Sequence, residues 1–168
     1  ENYKLETTGY RAKVFDQIET NAGYTTYENQ SIDINQEGLE SSLSYSNNFQ
    51  KFSLFSIFSK SRKSNGQAQN RRPDLSYGLN LFQKIKKSPI GLFDINLNYK
   101  FTGKYIDYDG SKNSRQKETD ILDLYLIKNI IGNSFSIKIT NLLDEKYEKP
   151  ATYSQNGRKI TFAYKKIF

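Results

Sequence analysis

The chain has 168 residues, a formal net charge of +7 and a mean hydropathy of −0.77, and it contains neither His nor Cys. Those absences exclude Ser-His-Asp and Cys-His nucleophiles, His- or Cys-ligated zinc and disulfides. No apolar run approaches the roughly 20 residues that a membrane-crossing helix needs. Apolar content is low at 36%, but 14% of residues are aromatic, which argues against a disordered chain.

Taken in order, the sequence reads as strands. Near the start, Tyr10, Ala12 and Val14 alternate with Arg11 and Lys13. Leu39, Leu43 and Tyr45 then alternate with Glu40, Ser42, Ser44 and Ser46. Lys51 to Lys60 is apolar on both faces, through Phe52, Leu54, Phe55, Ile57 and Phe58. Leu75, Tyr77, Leu79 and Leu81 alternate with Ser76, Gly78 and Asn80. The longest alternation runs from Leu92 to Tyr108, where Phe93, Ile95, Leu97, Tyr99, Phe101, Gly103 and Tyr105 interleave with Asp94, Asn96, Asn98, Lys100, Thr102 and Lys104. Ile121 to Ile127 admits strand or helix by spacing, and its neighbours favour strand. Phe135, Ile137 and Ile139 alternate with Ser136, Lys138 and Thr140, and Ile160, Phe162, Tyr164 and Phe168 form a last apolar set.

Side chains alternate between the two faces of a strand, so each segment offers one apolar and one polar face. A strand that crosses a bilayer needs about 9–11 residues, longer than the usual soluble strand of about 5–6. Connections alternate as well. Short ones are expected at 46–50, 84–88 and 129–133, and long polar ones at 61–72, 109–118 and 144–157. Short turns at one end and long loops at the other are the layout of outer-membrane barrels. The expected fold is therefore all-β, with about eight antiparallel transmembrane barrel strands.

The end of the chain carries Asn141-Leu142-Leu143-Asp144-Glu145-Lys146-Tyr147, then Gly157-Arg158, then a strand ending in Phe168. This resembles the C-terminus of TonB-dependent outer-membrane receptors, in which an N-L-F-D-x-x-Y stretch precedes a last loop and a Gly-Arg opens the final strand. Leu143 stands in place of the usual Phe, and Lys166 where an aromatic or apolar residue is more usual. Tyr27-Glu28-Asn29 with Gly38-Leu39-Glu40, Arg72-Pro73, and Glu6 with Gly9 resemble further family strands in the same order. The resemblance implies that residues 1–168 are the C-terminal part of a barrel of about 22 strands. The plug domain and the TonB-contacting segment would lie elsewhere, and a start at Glu1 without Met or leader fits a piece or a processed chain.

The resemblance also implies function. It points to TonB-energised uptake of a scarce nutrient, a cobalamin or a ferric siderophore, across the outer membrane of a Gram-negative bacterium. The stretches 105–118 and 153–158 look most like vitamin B12 receptors. Its partners would be membrane lipid, lipopolysaccharide, TonB through the missing N-terminal region, and the small ligand. No cofactor, no metal and no enzymatic step are expected. Asn141, Asp144, Tyr147, Gly157, Arg158 and Phe168 are then structural signature residues, and the residues that bind ligand stay open.

Other readings remain. A complete eight-stranded barrel with a structural or adhesive role suits the length, and a soluble β-rich binding module would require no membrane. The basic stretch 59–72 could meet nucleic acid, but it lacks the interleaved aromatics that stack on bases, so lipopolysaccharide phosphates suit it better. Asp107-Tyr108-Asp109-Gly110 suggests a calcium loop, but Lys112 occupies the sixth position, where an EF-hand needs Gly. The same count from Asp33 ends on Ser44 instead of Glu. Glu37 with Glu40, or Asp120 with Asp123, offer carboxylate pairs with nothing around them that marks a shaped site.

Overall fold

The computed structural model describes residues 2–20, 25–29, 32–108 and 111–166. Phe168, Asp109 and Gly110 lie outside the described residues. Twelve strands occur among those described: β1 Asn2–Val14, β2 Ile18–Thr20, β3 Tyr27–Asn29, β4 Ile34–Ser46, β5 Gln50–Lys63, β6 Leu75–Ile85, β7 Phe93–Thr102, β8 Tyr105–Tyr108, β9 Asn113–Gln116, β10 Thr119–Ile130, β11 Asn133–Thr140 and β12 Lys159–Lys166. Eight of them form one antiparallel sheet in the order β1-β4-β5-β6-β7-β10-β11-β12. Each strand pairs with the next long strand in the chain, so the sheet is a meander. The pairs β2-β3 and β8-β9 are separate hairpins inside long connections.

Register explains why the sequence alternates as it does. Tyr3, Tyr45, Phe52, Leu81, Leu97, Leu124, Ile139 and Ile160 lie directly opposite one another across all eight strands. A second row on the same face runs Leu5, Leu43, Leu54, Leu79, Tyr99 and Leu122. The row between them, on the opposite face, is Lys4, Ser44, Ser53, Asn80, Asn98 and Asp123. Slipping any strand by one residue would put its apolar side chains among amides and charges, so the pattern fixes the register. The polar face is knitted by side-chain bonds, Asn80 to Ser53 at 3.3 Å and Asn98 to Asn80. On the apolar face the rings of Tyr77 and Phe101 stack at 4.6 Å.

The core of a globular domain is missing from this arrangement. Among the described residues, Ile34 and Ala151 are the buried apolar ones, while Leu5, Leu54, Phe58, Ile160, Phe162 and Tyr164 are all exposed. A continuous exposed apolar face of this extent marks an interaction surface, and lipid is the solvent that suits it.

The two-faced apolar segment 51–60 also resolves. Phe52, Leu54 and Phe58 sit on the apolar face, whereas Phe55 and Ile57 sit on the polar one, opposite Gly78 and Ser76. Gly78 makes room for Phe55, because a Cβ there would lie 2.5 Å from its ring and 2.6 Å from the Tyr99 carbonyl. Ile121 to Ile127 is strand, with Ile121, Asp123 and Tyr125 facing Lys100, Asn98 and Asn96. The long alternation 92–108 is broken. β7 stops at Thr102, the Gly103 amide donates to the Leu75 carbonyl at 2.8 Å, and β8 leaves the sheet to pair with β9. The break falls at Gly103, where a Cβ would come within 2.9 Å of the Leu75 carbonyl.

Candidate functional site

The three short turns, 47–49, 86–92 and 131–132, lie at one end of the sheet, and the long connections at the other. Three of the long connections meet at a single carboxylate. Asp107 on β8 is 1% exposed. Its Oδ1 accepts from Arg71 Nε at 2.6 Å and from the Tyr108 amide at 2.8 Å, and its Oδ2 accepts from the Ala151 amide at 2.8 Å. The Arg71 amide in turn donates to the Ile106 carbonyl at 2.7 Å. Three connections, 64–74, 103–118 and 141–158, thus meet at one side chain. Burial opposes ionisation of Asp107, but the Ala151 amide, Arg71 and the Tyr108 amide outweigh it and hold the carboxyl below the ordinary range.

The last connection begins with a second knot. Asn141 has a φ of 51° and is 4% exposed. Its amide donates to Asp123 at 2.8 Å, its side-chain Nδ2 donates to the carbonyls of Glu145 at 2.9 Å and Asn156 at 3.3 Å, and its Oδ1 accepts from the Glu145 amide at 2.9 Å. Asn tolerates left-handed backbone and carries both a donor and an acceptor, which is what this turn requires. Asp144 accepts from the Arg158 amide at 2.7 Å and from Lys146 at 3.1 Å, and these bonds depress its pKa. Gly157 leaves the space for this, since a Cβ there would lie 2.5 Å from Asp144 Oδ1. Arg158 Nε donates to the Leu142 carbonyl at 2.9 Å. Tyr147 lines the pocket described next. Five signature residues, Asn141, Asp144, Tyr147, Gly157 and Arg158, therefore belong to one loop base, and Phe168 lies outside the described residues.

Beneath these loops the polar face holds a pocket of about 560 Å³. Asn98, Lys100 and Asp123 form its sheet floor, and Arg71, Tyr105 and Tyr147 belong to the loops above. Burial is the main reason that the Tyr105 hydroxyl titrates above its usual range. A mixed wall of amides, cations and phenols can hydrogen-bond a polar ligand or another protein surface. It has no nucleophile–base pair, and the carboxylate pairs in the sequence are split by register. Glu37 lies on the apolar face and Glu40 on the polar one, as do Asp120 and Asp123 respectively.

The basic stretch 59–72 is dispersed in the same way. Arg62 forms a two-pronged pair with Asp74 at 2.6 and 3.0 Å, and Arg71 is spent on Asp107. The sequence had marked Asp107 as a possible calcium position, but both its oxygens accept N–H donors. Its role as a hub was not readable, because Arg71 and Ala151 are remote in the chain.

These features define a class of fold, an antiparallel meander with one lipid-suited face, one polar face, short turns at one end and tied loops at the other. Solved structures share it. The pyoverdine outer-membrane receptor FpvA of Pseudomonas aeruginosa superimposes with a TM-score of 0.80 at 15% identity over 99% of this chain and 27% of that one. The ferric yersiniabactin uptake receptor FyuA of Yersinia pestis gives 0.76 at 16% identity, over 96% and 26% of the two chains. The ferric-catecholate import receptor Fiu of E. coli K12 gives 0.74 at 14% identity, over 96% and 25%. No family model and no curated protein sequence matches. The chain thus has the barrel-strand fold of TonB-dependent outer-membrane receptors, and it spans about a quarter of the length of the structures it matches.

Proposed function

We propose that the chain is the C-terminal stretch of the barrel wall of a TonB-dependent receptor in a Gram-negative outer membrane, and that the whole protein imports a ferric siderophore. The observation that carries this reading is the unbroken apolar row from Tyr3 to Ile160, backed by the amide-rich row from Lys4 to Asp123. One face would meet lipid and the other would line the lumen, with loops tied by Asp107 at the outer mouth. Similarity to receptors named for pyoverdine, yersiniabactin and ferric catecholates supports an iron chelate over a cobalamin. In the described sheet β1 and β12 do not pair with each other, which favours a strip of a larger barrel over a closed eight-stranded one. Lipid leaves no unpaired strand edge satisfied, so other strands would cover both edges.

The test is uptake of radioactive iron by the source organism under iron limitation. A strain lacking the whole gene should lose import of one ferric siderophore and regain it with the full gene. Unchanged import of every chelate offered would overturn the iron reading.

A further inference from the structure

Lysines gather at the short-turn end. Lys4, Lys51, Lys84, Lys86, Lys87, Lys128 and Lys165 lie in or beside the turns and strand ends there, where Asp94 and Glu6, which pairs with Lys4 at 2.9 Å, are the nearby carboxylates among the described residues. The opposite end is different, because its cations are interleaved with acids and several are paired: Lys13 with Asp33, Arg62 with Asp74, Lys104 with Glu118, Lys117 with Glu145. Apolar side chains stand exposed among the lysines, including Phe49, Ile90 and Leu92. Ile131 is 97% exposed at a φ of 20°, in a two-residue turn where Asn or Gly would be at ease. Apolar side chains interleaved with lysines suit turns that lie in a headgroup layer.

The apolar face offers an acyl site at the same end. A groove of about 530 Å³ runs over Phe93, Leu126, Phe135, Ile137, Phe162 and Tyr164, with Lys128 on its rim. The Tyr164 hydroxyl donates to Asn133 at 2.7 Å, so the ring is held at the groove's lower edge. Lys86 lies 3.2 Å from the centroid of Phe49, which keeps its charge at the turn surface. Lys128 makes no ion pair among the described residues.

We infer that this end of the sheet is a binding site for an anionic phospholipid of the periplasmic leaflet. One acyl chain would occupy the groove, and the phosphate would lie against Lys128, with Lys86 and Lys87 nearby. This deepens the outer-membrane reading and rests on it. A cation at the membrane surface favours an anionic lipid by roughly fivefold.

The test uses the full-length protein extracted in detergent, with native mass spectrometry of bound lipid after addition of equal phosphatidylglycerol and phosphatidylcholine. The expected result is at least about fivefold enrichment of phosphatidylglycerol, abolished in the K86Q/K87Q/K128Q variant. Heat-dependent gel migration checks that this variant still folds. A second variant, I137W, fills the groove and should lower the number of retained phospholipids while leaving the charge in place. Equal binding of the two lipids, or an unchanged preference in the triple variant, overturns the site. Displacement of phosphatidylglycerol from these lysines by lipopolysaccharide also overturns it, in favour of the other leaflet. A protein that stays monomeric in water without detergent and binds no lipid would instead sink the membrane reading itself.

Discussion

Arg71 and Asp107 are 36 residues apart in the chain, yet Arg71 Nε sits 2.6 Å from Asp107 Oδ1 and joins two long connections. Asp107 is buried and Arg71 is largely exposed, so the pair is asymmetric. Removing Arg71 leaves a buried carboxylate with its two amide donors. Removing Asp107 strands the Arg71 Nε donor and the Ala151 and Tyr108 amides together. Asp107→Ala should therefore loosen the loops more than Arg71→Ala, by about 2 to 3 kcal/mol of local closing energy. Limited proteolysis of the intact protein within 64–74 and 141–158 reads this directly, and equal cleavage of the two variants would contradict it.

The same carboxylate sets a pH limit. Its folded pKa is depressed, so its contribution is present above the unfolded value of about 3.9 and is lost as pH falls through the folded value. Asp144 is depressed as well and acts in the same direction. Loop protection should hold from neutral pH down to about 4 and fall below that. Asp107→Asn should have a flatter acid limb, measured as protease or hydrogen-exchange protection against pH.

Asn141 supplies left-handed backbone and side-chain bonds at one position. Asn141→Gly keeps the backbone and loses the bonds, while Asn141→Ala loses both. Ala should cost more than Gly by about 1 kcal/mol, read as exchange protection of the Glu145 and Arg158 amides. Asp144→Ala should free the Arg158 amide alone.

Leu97 and Asn98 are neighbours on β7 but face opposite ways. Leu97→Arg puts a charge on the apolar face and should cost about 2 to 4 kcal/mol if that face meets lipid near the bilayer midplane. Asn98→Arg, on the polar face, should be tolerated to within about 1 kcal/mol. Folded yield after assembly, seen as heat-dependent migration, separates the two.

How much of this was legible in the sequence follows the range of the interactions. Strand identity was readable wherever one face is apolar, as from Phe93 to Phe101, because alternation is local. The three short turns and three of the long connections were readable for the same reason, whereas the connection between Val14 and Ile34 was not read as one. Phe55 could not be assigned a face, since its placement on the polar face depends on Gly78, a residue of another strand. The end of β7 was missed because the break at Gly103 is fixed by the backbone of Leu75. In the loops, Asn141 and Asp144 were visible through a resemblance, and the structure supplies their contacts. Asp107 stood out in the sequence only as the first residue of a possible calcium loop. What gives it a role is the Ala151 amide, 44 residues away.

The central claim is that odd residues of β7 face lipid and even residues face the lumen. These 168 residues contain no Cys, so single cysteines from 93 to 102, placed in a full-length protein with any Cys elsewhere replaced, can each carry a spin label in membranes. The account predicts collisions with lipid-soluble oxygen at Phe93, Ile95, Leu97, Tyr99 and Phe101, and with a water-soluble nickel chelate at Asp94, Asn96, Asn98 and Lys100. A profile without that two-residue period, or with the phases exchanged, would contradict it.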